Sequence, residues 1–167
     1  FVFTPWGLAG CILFLIAAAA ESNRSPFDMP EGESEIVAGY FLGYSGFKFA
    51  IFFMAEYFGM FAAGGMAATL FFGGYTAPVS WLAWIPTWIW FFTKVMAWIF
   101  MLIWVRGTVP RLRMDQLMNF AWKFMLPMAL INLFVAGVWH FMGPGAARWI
   151  VCSALVVGPY VLLGKGL

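Results

Sequence analysis

The sequence predicts an all-α protein, a polytopic bundle of four to five transmembrane spans with an acidic interfacial loop and helix, and three observations carry that reading. Hydrophobic residues make up 64% of the chain and charged ones only 10%, at a mean hydropathy of +0.90, which leaves too little charge to clothe a soluble domain. The apolar residues gather into stretches near the roughly 20-residue length that crosses a bilayer. The charges are confined instead of dispersed: five of the seven acids, Glu21, Asp28, Glu31, Glu33 and Glu35, crowd around Arg24, and four of the nine Lys and Arg residues, Arg106, Arg111, Arg113 and Lys123, fall in a second segment. At this span length 167 residues form a single membrane domain, 1–167, with no linker long enough to divide it and no solenoid-length repeat.

Each element follows from where charge and turn residues interrupt the apolar pattern. The first span covers about 3–20, with Pro5 near its start, and ends at the charged loop 21–43. In that loop Asn23 to Pro30 carries turn chemistry, Ser25-Pro26 and Met29-Pro30. Glu31, Glu33 and Glu35 suit the first turns of a helix, where the macrodipole favours negative charge. A short interfacial helix is therefore expected from near Pro30, greasy on the side of Ile36, Val37, Tyr40 and Phe41. The second span, 44–72, is apolar except for Lys48 and Glu56, and its Phe58 to Gly65 stretch is rich in Gly and Ala, which lets neighbouring helices approach closely in lipid. From Gly73-Gly74 to Pro86 there is no Lys or Arg, as expected of an outer loop. The third span, 81–105, is interrupted only by Lys94. A charged loop, 106–123, leads to the fourth span, 124–141, and Gly143-Pro144-Gly145 leads to a short fifth, 149–164.

The basic loop should face the cytoplasm or matrix, and alternation of spans puts the acidic loop on the same side. Trp81, Trp84, Trp104 and Trp149 lie near proposed span ends, where tryptophan forms interfacial belts, and Trp88 and Trp98 fit either those belts or a deeper position. A net charge of +2 without a basic stripe excludes nucleic acid as a partner. Cys11 and Cys152 are far apart and His140 is the sole histidine, so no zinc, haem or iron–sulfur motif is written here. The chain opens on Phe1 with no basic n-region, as expected of a processed product, a split gene product or a chain seen in part.

Ionisable groups this rare near a bilayer are read first as functional. Asp28, Glu31 and Glu35 are three and four residues apart and would share one side of a helix that included all of them. Carboxylates so close raise one another's pKa and can hold a proton near neutral pH; the plainer reading is a solvated helix start that pairs with Arg24. Glu56 lies well inside a span, where a carboxylate requires a partner, a proton or water. Lys48, eight residues earlier, would reach it through water. Both suit a proton relay or an aqueous cavity, against a buried structural ion pair. Lys94 carries the same alternatives, proton path or packing glue. Arg106, Arg111, Arg113 and Asp115 serve either as topogenic charge or as contact with a peripheral subunit. His140 reads as an interfacial residue. Phe27, Tyr40 and Phe41 beside the acidic loop would suit a flat, greasy head group.

The string Glu21-Ser-Asn-Arg-Ser-Pro-Phe-Asp-Met-Pro-Glu-Gly-Glu-Ser-Glu-Ile-Val-Ala-Gly-Tyr40 resembles the signature loop of the quinone-site membrane subunit of respiratory complex I, found in both bacteria and mitochondria. Tyr44-Ser-Gly-Phe-Lys-Phe, Phe52-Phe-Met-Ala-Glu-Tyr57, Lys94, Arg106-Gly-Thr-Val-Pro-Arg-Leu-Arg-Met-Asp-Gln-Leu-Met118 and Trp122-Lys-Phe-Met-Leu-Pro127 follow in the family's order. The resemblance implies a subunit of a proton-translocating NADH:quinone oxidoreductase in an energy-coupling membrane, bacterial cytoplasmic or mitochondrial inner. It implies a quinone chamber formed with two peripheral subunits and touched by Glu21, Arg24, Phe27, Asp28, Glu31, Glu33 and Glu35. A proton path through Glu35, Lys48, Glu56 and Lys94 and a subunit-contact loop at Arg106, Arg111, Arg113 and Asp115 complete the expected site. Quinone is the implied substrate, while flavin (FMN) and iron–sulfur clusters belong to partner subunits. The resemblance covers only the family's C-terminal half, so another chain or an unseen segment supplies the earlier spans. Gly43 stands where the family commonly has Glu before Tyr-Ser-Gly, so either the route from chamber to membrane differs or its load shifts to Glu35 and Glu56. The rival readings are the membrane anchor of a related hydrogenase and a stand-alone transporter or scaffold.

Overall fold

The computed structural model describes residues 2–22, 26–27, 43–77, 84–110 and 112–164. Among these residues the chain is all-helical: α1 (Pro5–Glu21), α2 (Phe47–Leu70), α3 (Thr87–Thr108), α4 (Met114–Phe141) and α5 (Ala146–Gly164), with no strand. The four helices α2 to α5 are long and apolar enough to cross a membrane; α1 is a shorter apolar helix. By contacts the chain divides into two compact units, one of residues 1–15 and 113–167, the other of residues 16–112.

Helix α1 starts as its sequence dictates. Thr4 is the N-cap, accepting the Gly7 N–H on its hydroxyl at 3.2 Å, and Pro5 takes the first helical position, where a missing N–H costs nothing. Just past the helix lies buried Ser22, whose hydroxyl donates to the Ala18 carbonyl at 2.8 Å, which also takes the Ser22 N–H, and to the Ala19 carbonyl of the last turn at 3.3 Å.

Helices α2 and α3 form an antiparallel hairpin, and its interface is the small-residue stripe visible in the sequence. Met60, Ala63, Gly64, Ala67 and Ala68 are buried on α2, and Val95, Trp98, Ile99 and Leu102 on α3. Gly64 lets the backbones approach: a Cβ there would lie 3.3 Å from the Val95 Cγ1 and 3.4 Å from the Trp98 Cδ1. The turn after α2 needs glycine, since Gly73 and Gly74 have φ of 71° and 57°. Helix α3 begins at Thr87, after Pro86, later than the Trp81 expected, and residues 81–83 lie outside the described set. Span hydroxyls stay satisfied internally, Thr69 on the Gly65 and Met66 carbonyls and Thr93 on the Ile89 carbonyl, as lipid requires.

Helix α4 differs from its expected start. The charge pattern predicts loop over 106–123, but the helix begins at Met114, where the Gln116 side chain accepts the Arg113 backbone N–H at 3.2 Å and Asp115 sits in the first turn. Residues Ala121–Met125 form a π-helical turn, with the Leu126 N–H on the Ala121 carbonyl. Pro127 explains it: a proline has no N–H and its ring clashes with the carbonyl four residues back, that of Lys123, so the helix widens there. The widened turn buries Phe124 between Phe120 (centroids 5.2 Å, stacked) and Tyr160 of α5 (5.4 Å, edge-on). Val135 and Cys152 are fully buried where α4 meets α5.

Candidate functional site at the charged end of the helical hairpin

The candidate site among the described residues lies at the end of the α2–α3 hairpin that carries Lys48 and Arg106. Pro26 and Phe27 are buried, and the Pro26 carbonyl accepts the Leu112 N–H at 3.1 Å. A main-chain bond thus joins the segment after α1, at Pro26, to the segment after α3, at Leu112. Glu21, the last residue of α1, is exposed, and Lys48 is exposed in the first turn of α2.

Glu56 is half-buried nine residues into α2, about 14 Å along the axis. A cleft of about 220 Å³ in the same hairpin is lined by Tyr57, Met60, Leu102, Ile103 and Arg106. Met60 and Leu102 face each other across the antiparallel pair, so one turn back on α2 and one turn on along α3 bring Glu56 and Arg106 to the same level. Chemically this is a carboxylate inside a span, a phenol next to it, and a guanidinium at the mouth of a largely apolar cleft. Such an arrangement can stabilise a carboxylate against desolvation and pass a proton between it and water. Spacing along one helix singles out Lys48 as the cation for Glu56; the fold adds Arg106 from the neighbouring helix, a residue that the charge pattern marks only as part of a loop. The signal available was its place in the last turn of a span, before Gly107-Thr108.

Lys94 belongs elsewhere in this unit. It is level with Ala68, twelve residues from Glu56 along α2, or about 18 Å. Its ammonium donates to the carbonyls of Phe72 (2.7 Å), Gly74 (2.9 Å) and Thr76 (2.7 Å), which fills its three donors and neutralises the C-terminal end of α2. Phe72 packs edge-on against Trp98 and Tyr75 stacks on Phe91 around the same turn.

In the other unit, Arg113 and Asp115 are exposed at the start of α4. Arg24, Asp28, Glu31, Glu33, Glu35 and Arg111 lie outside the described residues, as do the expected interfacial helix from Pro30 and Tyr40 and Phe41. Gly43 is described and exposed. Among the described residues no group of three or more His, Cys, Asp or Glu side chains gathers as a metal site.

Comparison with known proteins gives this geometry its family. Residues 2–137 match the family model described as NADH dehydrogenase. The chain is 52% identical over 133 residues to the H-type NADH-quinone oxidoreductase subunit of Geobacillus kaustophilus, covering 78% of this chain and 40% of that protein. It is 51% identical over 129 residues to the corresponding protein of Brevibacillus brevis, covering 77% and 38%, and 48% identical over 131 residues to one from Geobacter metallireducens, covering 78% and 38%. The chain spans about 40% of the length of these relatives. With its charged loops, its in-span carboxylate and a match running over most of its length, the chain belongs to the NADH dehydrogenase family of membrane proteins.

Proposed function

We propose that this chain is part of the membrane subunit of a proton-translocating NADH:quinone oxidoreductase, where it forms one wall of the quinone chamber and couples quinone reduction to proton translocation. The observation that carries the proposal is the half-buried Glu56 inside α2, at the level of Arg106 in the last turn of α3. Reduction of a quinone to a quinol takes up protons along with electrons, so the chamber needs groups whose charge answers to that change. Glu21, exposed at the end of α1, and the carboxylates that follow it in the sequence supply such groups, and Glu56 adds one within the span. Lys48, in the first turn of α2, precedes Glu56 by eight residues, about 12 Å along the helix. The main-chain bond from Leu112 to Pro26 ties the segment that follows α1 to the segment that follows α3.

Phe27 and the acidic segment face the quinone head group in this reading, which makes quinone the substrate and leaves flavin and iron–sulfur chemistry to partner subunits. The basic stretch Arg106, Arg111, Arg113 and Asp115 docks a peripheral subunit, and the earlier spans of the relatives' length complete the chamber. The relatives' names, all NADH-quinone oxidoreductase, favour this assignment over a hydrogenase anchor. The test is Glu56→Gln, with Glu35→Gln beside it, in the assembled complex reconstituted in vesicles. The proton-to-electron ratio should fall while NADH oxidation continues; a ratio equal to wild type in both variants removes the relay from the proposal.

A further inference from the structure

At the end of α4 away from its basic start lies a cationic aromatic cluster that the coupling reading does not use. The Arg148 guanidinium sits over the Trp139 ring, 4.0 Å from its centroid, and Trp139 packs edge-on against Trp149 at 5.0 Å. The Nε of Arg148 is buried and has no hydrogen-bond partner among the described residues. A guanidinium presents a rigid fork of N–H donors, and stacking on tryptophan fixes its plane without occupying any of them. The charge is therefore held in one orientation by a neutral platform.

The sequence of this unit places no acidic side chain near it. No Asp or Glu occurs after Asp115, which is also the one acid in the unit. Asp115 precedes Trp139 by twenty-four residues of helix, about 36 Å. Height along the span identifies what does lie there. From Lys123 to Phe141 the helix rises about 27 Å, close to the roughly 30 Å of a hydrocarbon core. A bilayer boundary set at Lys123 puts Trp139, Arg148 and Trp149 near the opposite boundary, at the height of headgroup phosphates. Trp149 and Ile150 beside Arg148 are exposed, 45% and 67%, and Phe141 is 90% exposed, so the surface around the cation is suited to acyl chains.

We propose that Arg148, held on Trp139, is a phosphate-binding site whose ligand is the headgroup of a membrane phospholipid. The guanidinium takes two phosphate oxygens in a bidentate pair, and the acyl chains run down the exposed α4–α5 face. The site fastens the hairpin of α4 and α5 at a fixed depth in the bilayer.

The experiment uses the intact complex in bilayers of phosphatidylglycerol and phosphatidylethanolamine, extracted mildly and weighed by native mass spectrometry. Wild type should retain one phospholipid more than Arg148→Gln, at least a threefold difference in occupancy. Trp139→Leu, which keeps the charge but removes its platform, should lose the same lipid, and Arg148→Lys should retain it only in part. Millimolar inorganic phosphate should not displace it. Equal lipid retention in wild type, Arg148→Gln and Trp139→Leu overturns the proposal. So does displacement by inorganic phosphate, which would make this a free-phosphate site, and so does loss of a neighbouring subunit with lipid unchanged, which would make the anion a protein carboxylate.

Discussion

Replacing Lys94 with methionine separates two roles, proton carrier and packing clamp, that meet in one residue. Methionine keeps most of the apolar stem, so packing against α2 survives while the ammonium and its three bonds to Phe72, Gly74 and Thr76 are lost. Hydrogen bonds from a charged donor contribute about 1.5 kcal/mol each at the low end, or about 4.5 kcal/mol for three. Ordering a lysine side chain takes back about 2 kcal/mol, which leaves about 2.5 kcal/mol, roughly a 70-fold shift in the opening of the turn. The readout is hydrogen exchange of the Gly74 and Thr76 amides, whose bonds to Ala68 and Gly73 exist only while the turn is closed. Exchange at both should quicken by about that factor, with amides in the middle of α2 unchanged. Lys94→Arg provides the counter-test. Arginine keeps the charge but never gives up its proton, and its planar fork fits three converging carbonyls poorly, so protection should fall only partway and coupling should persist. Exchange within about threefold of wild type in Lys94→Met, together with lost pumping in both variants, would refute the clamp and return Lys94 to the proton path.

Two further substitutions probe the same hairpin. Gly64→Leu should destabilise it by about 3 kcal/mol, because the added side chain points at Val95 and Trp98, which are themselves buried; a lowered melting temperature of the complex in detergent checks this. Gly73→Ala should open the turn after α2 at a cost of about 1 to 2 kcal/mol, since the new Cβ would lie 2.8 Å from the Thr76 hydroxyl at a φ that disfavours alanine. Combined with Lys94→Met it should cost less than the two effects together, because each opens the same turn, and proteolysis at that turn measures the shortfall.

The span pattern is readable because charge is so sparse: wherever several ionisable residues gather in this chain, an apolar stretch begins or ends. The Gly and Ala run around Gly64 likewise announces the close helix pair, and the strings around Glu21 to Tyr40 and Arg106 to Met118 announce the family. Hidden are the features made by backbone. No pattern of side chains reveals that three carbonyls after α2 converge on Lys94, or that the Pro26 carbonyl takes the Leu112 N–H. Arg106 falls with the loop when charge alone is the loop signal, and that signal cannot separate a loop residue from the last turn of a span. The same signal moves the start of α4 to residue 124, although Asp115 and Gln116 after Arg113 carry a helix start.

The π turn at Ala121–Met125 has a bearing on how this sequence can change. One extra residue accommodated in a turn shifts the phase of everything before it by about 100° relative to everything after it. Met114 to Phe120 and Leu126 to Phe141 therefore obey separate angular clocks, and a helical wheel drawn through both misassigns one of them. Deleting a single residue between Ala121 and Met125 would heal the widened turn into a regular α-helix and leave Arg113 and Asp115 on the side they face now, whereas the same deletion elsewhere in α4 would swing them by about 100°. The widened turn is therefore a place where this helix can lose a residue without changing the aim of the basic segment.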